Sequence, residues 1–166
     1  MKLNWLAILA AAFIPALLRL VWFHPKVFGN AWKTAGDVKT DRPRWASTPL
    51  QFGLTLVFGF LISVTLMSMV IHQIHIFSLV SAVPDFKKEG SETALWVKNF
   101  MAAHGTRHRS FGHGALHGAI AGLVFATPLL SSTALFERRG IKYILINGGY
   151  WTASLTIMGS IICGWA

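Results

Sequence analysis

Four apolar blocks occupy residues 3–23, 50–71, 114–136 and 141–165, and each is long enough to cross a bilayer as a helix. The second holds 22 residues, which span roughly 33 Å at helical rise and match the hydrocarbon core. Inside lipid, every backbone N–H and C=O must be paired within the segment, so such blocks fold as helices. Hydrophobic residues make up 54% of the 166, and charged residues only 13%, about half the share of a soluble domain. The expectation is an all-α, polytopic membrane protein: one transmembrane domain over residues 1–166, built as a four-helix bundle.

Details within the blocks refine this reading. The first opens like a secretory signal, with Lys2 before the apolar run, but continues past the usual length of such a core and is expected to be retained. Pro15 should kink it or mark a packing contact. Arg19 lies about one turn from its end, where a long side chain reaches the headgroups. Pro49 suits the first turn of the second block, and Pro128 interrupts the third. Only residues 137–140 separate the third and fourth blocks, which predicts a tight antiparallel hairpin. Phe28, Ala31 and Trp32 in the first connector suggest a short interfacial helix. Ser91-Glu92-Thr93 in the second connector marks the start of another.

The net charge of +9 would suggest nucleic acid in a soluble domain. Here the basic residues lie between apolar blocks rather than along one surface element, so nucleic acid is not an expected partner. The first and third connectors carry eight lysines and arginines, against six at the N-terminus and in the second connector. The positive-inside rule then places both termini and the second connector outside. Cys163 is the one cysteine, which excludes an internal disulfide.

Apolar side chains gain little by leaving lipid for another helix, so close backbone approach must supply the contact energy. Gly114, Gly118 and Gly122 recur at spacing four, and Gly148 and Gly159 offer small positions on the fourth block. These glycines are the predicted helix-packing residues, either within the chain or between copies of it.

The six carboxylates, Asp37, Asp41, Asp85, Glu89, Glu92 and Glu137, all fall outside the apolar blocks. A proton-coupled exchanger would need one at membrane depth. No nucleophile motif or phosphate-binding loop appears. Asn147 is expected to make an interhelical hydrogen bond. Six of the seven histidines lie between positions 72 and 117, in pairs spaced three or four apart. Each pair would share one helical face. Imidazole binds zinc, copper, nickel and haem iron, and the end of the second block meets the start of the third on one membrane side. His72, His75, His113 and His117 are therefore the candidate metal ligands. His104 and His108 are placed to close over them, with oxygen from Asp85, Glu89 or Glu92. The plainer role for all of them is that of interfacial polar residues.

Several segments match a known pattern: Asn4-Trp5-Leu6-Ala7-Ile8-Leu9, Trp22-Phe23-His24-Pro25-Lys26-Val27-Phe28-Gly29 with Ala31-Trp32, His113-Gly114-Ala115-Leu116-His117-Gly118, Leu135-Phe136-Glu137-Arg138-Arg139 and Asn147-Gly148-Gly149-Tyr150-Trp151. In this set and order the chain resembles the bacterial integral-membrane family of unknown function catalogued as number 1761. The resemblance covers essentially the whole chain. It implies a four-span bacterial inner-membrane protein and no particular activity. Trp22, Phe28 and Trp32 would share one membrane side with Glu137, Arg138 and Arg139. Together they are a candidate site for a lipid headgroup or a partner protein; helix capping and a surface salt bridge are the plainer role.

The leading functional expectation is a non-enzymatic membrane protein, without a cofactor, that acts as a homo-oligomer or an accessory subunit of a membrane assembly. Its partners would be the lipid bilayer and copies of itself or other membrane subunits. The alternative is a protein that binds a metal ion or haem through the paired histidines. A transporter of a small solute or lipid is a second alternative.

Overall fold

A computed structural model of the protein describes residues 3–37 and 48–165, and these are all-helical, without a strand. Lys2, Lys39, Arg42 and Arg44, which enter the orientation argument, lie outside the described residues, as does the polar turn of the first connector.

The first block forms two helices, α1 (Trp5–Ala12) and α2 (Ile14–Trp22), which meet at Phe13, with Pro15 buried. The break falls at Phe13 because Pro15 has no N–H and is accommodated only in a first turn. Asn4 caps α1, its side chain accepting from Ala7 N at 3.1 Å, while its amide donates to the Trp165 carbonyl. The two ends of the described chain therefore meet on one side of the bundle. After α2 come a π-helical turn at Pro25–Gly29 and α3 (Asn30–Gly36), the expected helix of the first connector.

The second block is α4 (Thr48–Val70). The chain breaks at Ile71 and His72 before α5 (Gln73–Val80). The helix expected to start near Ser91 is α6 (Glu92–His104), with the Ser91 hydroxyl accepting from Ala94 N. Val97 is its one buried residue, so α6 leaves most of its surface open.

The third block begins earlier than expected, as α7 (Phe111–Ile120), because Ser110 caps it. A π-helical turn at Ala121–Ala126 leads into α8 (Thr127–Phe136). Pro128 explains the wide turn: it cannot donate backward, and its ring crowds the preceding carbonyls. The last helix is α9 (Ile141–Gly164).

Among the described residues, three stretches, Trp5–Trp22, Thr48–Val70 and Phe111–Phe136, are long and apolar enough to cross a membrane. The expected fourth, α9, is long enough at 24 residues but more polar, with Asn147, Thr152, Ser154, Thr156 and Ser160 along its length. Its position gives the reason. It packs against α1, α2, α3, α4, α7 and α8, and ten of its residues are buried. A helix enclosed by other helices presents small and hydroxyl side chains to them rather than an apolar coat to lipid.

Backbone meets backbone along α7 and α9. A Cβ added at Gly114 would lie 2.1 Å from the Gly159 carbonyl oxygen, and one at Gly118 would lie 2.1 Å from that of Leu155. Gly122 faces Thr152, and Gly148 faces Thr127. All five predicted packing glycines thus sit against neighbours within the chain. Gly59 brings α4 equally close to α1, where an added Cβ would meet the Ala12 carbonyl at 2.2 Å. Asn147 departs from expectation: its amide donates to Tyr143 one turn earlier on the same helix, not across a seam.

Candidate metal centre

The upper end of the bundle, where the described termini meet, gathers histidines from three segments. His113 and His117 lie one turn apart on α7, in register with the glycine stripe one position along. Gly114 and Gly118 press α7 against α9, and the adjacent histidine stripe is thereby turned toward the end of α4. His72 comes from the break between α4 and α5. Its Nε2 lies 2.9 Å from Nε2 of His113. The His72 ring centroid is 5.0 Å from that of His113 and 4.9 Å from that of His117, and the His113 and His117 rings are 4.5 Å apart.

One ligand nitrogen from each of these three histidines can be chosen so that all lie within 4.8 Å of one another. His113 and His117 are partly buried. In a tetrahedral zinc site, bonds of about 2.0–2.1 Å put ligand nitrogens about 3.3–3.4 Å apart. Three protein ligands leave a fourth position for water or a substrate atom.

His75, the fourth candidate, is not brought in. The chain passes from α4 to α5 through tight turns, with Ile74 N donating to Ile71 and His75 N to His72. The break rotates His75 away, and its Nε2 donates to the Ser68 carbonyl instead. The expected helical pairing of His72 with His75 therefore fails, because no continuous helix runs through them. The pairing of His104 with His108 fails for the same reason, since α6 ends at His104. His104 packs on Phe100, whereas His108 stands with its ring 4.9 Å from His113. Asp85, expected as an oxygen donor, accepts from Thr93 instead. Among the described residues, no carboxylate belongs to the metal-binding group.

Two fasteners that sequence reasoning missed hold these segments. The Cys163 thiol on α9 lies 3.3 Å from the Val70 carbonyl and 3.2 Å from that of His108. The buried Gln73 amide donates to Arg107 at 2.8 Å. His108 itself takes a left-handed backbone, φ 61°. Only Gln73, a polar residue directly beside His72, hinted at this arrangement in the sequence. Burial, and then the like charge of His117, His108 and His75, hold the His72 imidazole below its ordinary range.

At the lower end, the aromatic and charged group expected to meet a lipid or partner is largely occupied within the chain. Trp22 Nε1 donates to Ile146, and its ring lies 4.8 Å from that of Phe28. Trp32 packs edge-on to Phe23 and stacks with Tyr143. Arg139 bonds the Gly36 carbonyl, approaches Glu137 at 3.5 Å and covers the Tyr143 ring. Arg138 adopts φ 58° in the hairpin turn. These contacts tie the hairpin to α3.

A family model described as a protein of unknown function (DUF1761) matches residues 6–163. No curated protein and no solved structure matches the chain.

Proposed function

The chain belongs to the DUF1761 family of proteins of unknown function over nearly its whole length, and from that premise we propose a four-pass membrane protein that binds one transition-metal ion at its histidine end. The convergence of His72, His113 and His117 carries the reading. An all-imidazole set suits zinc first, then copper(II) or nickel, and disfavours magnesium or calcium, which take oxygen. Rings with centroids 4.5–5.0 Å apart leave no slot for a flat macrocycle between them, so a bare ion fits better than haem. The glycine stripes, which motivated self-association, face partners inside the chain and so lend it no support.

The four-pass reading has α9 crossing antiparallel to α7 and α8 behind a sheath of the other helices. In a bacterial inner membrane, the eight lysines and arginines of the first and third connectors, against six at the N-terminus and in the second connector, favour an outward histidine end. With buried Cys163 left in place, His104→Cys in intact cells should be labelled by an impermeant maleimide. Labelling only after permeabilisation would reverse the orientation.

The test of the metal site is direct. Detergent-purified protein, stripped with chelator and reloaded with zinc, should retain about one equivalent through desalting, as a single three-ligand site requires. Retention equal to that of a His113→Ala variant would remove the proposal.

A further inference from the structure

The lower half of the bundle holds a second polar feature, unconnected with the histidines. Arg19 lines a cavity of about 290 Å³ together with Phe23, Trp32, Thr55, Asn147 and Trp151. It lies three residues before the end of the span Trp5–Trp22, about one helical turn below the membrane surface. Arg19 is exposed, and among the described residues neither an ion pair nor a hydrogen bond holds its guanidinium. Trp32 Nε1 is enclosed without a partner. Asn147 uses one amide hydrogen on Tyr143 and keeps the other. Unanswered donors and no carboxylate line this space, a set that calls for an anion.

A second space adjoins this cavity at Trp151. Trp151 also lines a groove of about 430 Å³, walled by Leu61, Ile62, Thr65, Met69, Phe125 and Leu129 among others. Its rims face outward, with Leu61 56%, Phe125 67% and Leu129 56% exposed. Thr55 and Phe58 in the lower cavity and Ile62, Thr65 and Met69 in the groove form one stripe of α4. Thr55 and Phe58 lie in the lower half of α4, and the groove follows its upper half to Met69, one residue before the helix ends. The donors sit near the lower surface and the apolar lane runs along α4 past the middle of the span, so the polar and apolar ends are separated as in an amphiphile.

We propose that the cavity and the adjoining groove together bind one anionic amphiphile, its carboxylate or phosphate head on Arg19, Trp32 and Asn147 and its acyl chain in the groove beside α4. The Arg19 fork matches a planar or tetrahedral oxyanion, and the chain supplies apolar area that a free anion lacks.

The test is native mass spectrometry of the full chain released from micelles with phosphatidylglycerol or phosphatidylcholine. At least tenfold stronger retention of phosphatidylglycerol is expected. Arg19→Gln should erase that preference. Thr65→Trp, at an exposed position in the groove, should weaken phosphatidylglycerol retention with the head site intact. Both variants should keep the parent's thermal midpoint and zinc stoichiometry, which separates loss of the site from loss of the fold. Displacement by palmitate would assign a carboxylate head and resistance to it a phosphodiester, and either upholds the site. Equal retention of the two phospholipids, displacement by inorganic phosphate alone, or a lipid-free dimer occupying the groove would overturn it.

Discussion

Replacing His117 with alanine is expected to abolish stoichiometric zinc retention while leaving the metal-free protein folded. His117 lies at the end of the bundle, where its ring touches only His72 and His113 among the aromatic neighbours. Alanine is the better helix former, so the stability of the metal-free chain should change by less than about 1 kcal/mol. Loss of an outer-shell group typically weakens a metal site about 10–100-fold, and loss of one of three ligands should weaken it more. In a thermal melt, zinc at a hundredfold excess over its dissociation constant adds about 2.7 kcal/mol to the folded state. That rise should appear in the parent and vanish in His117→Ala, His113→Ala and His72→Ala. His75→Ala should behave like the parent, because its Nε2 is committed to Ser68. A zinc response lost equally in His75→Ala would mean diffuse binding to surface imidazoles.

Acid should act in the same direction on both forms of the protein. Coordination requires neutral imidazole, so zinc retention should fall as pH drops from about 7.5 to about 5.5. For the metal-free chain, the lowered folded-state value of His72 means that the unfolded chain takes up its proton first. Stability from this group is therefore present above pH 6.5 and lost as pH falls below it.

Gly118→Leu should have the largest effect on folding. The first added carbon already lies 2.1 Å from the Leu155 carbonyl oxygen and 2.9 Å from Thr156 Cα. Both are backbone atoms of the central helix, and neither can yield without separating α7 from α9. Overpacking usually costs about 1–3 kcal/mol where side chains can shift. Here they cannot, so a loss of about 3 kcal/mol or more is expected, seen as a collapsed thermal midpoint or as aggregation in detergent. Gly53→Ala supplies the contrast. Nothing lies within 4 Å of its added carbon, and α4 should gain up to about 1 kcal/mol from helix propensity. Equal behaviour of the two variants would refute the close seam.

How much could be read in advance follows from which interactions are local. Apolar runs, Pro15, Ser91 and the short hairpin each act within a few residues, so the helical content and most boundaries were legible. The α9 helix was legible as a helix, but not as the enclosed centre. Its hydroxyls and glycines have meaning only once the three more apolar stretches are placed around it. The candidate site shows the same division. Spacing identified His113 and His117 as one face, because α7 is unbroken there. Spacing misassigned His75 and His104, because a backbone break and a helix end lie inside those intervals. His108, Gln73 and Cys163 enter through contacts across 34 to 93 positions, which no periodicity reports.

The sequence by itself determined that this chain forms apolar helices and concentrates imidazole at one end of them, since hydrophobicity and helical period are properties of short segments. The tertiary structure alone decided which three histidines converge, and that Arg19 lines a cavity beside an apolar groove. The physical reason is common to both. Glycine-mediated contact sets how closely α7, α9 and α4 approach, and that distance, absent from any local window, determines which side chains meet and where space is left.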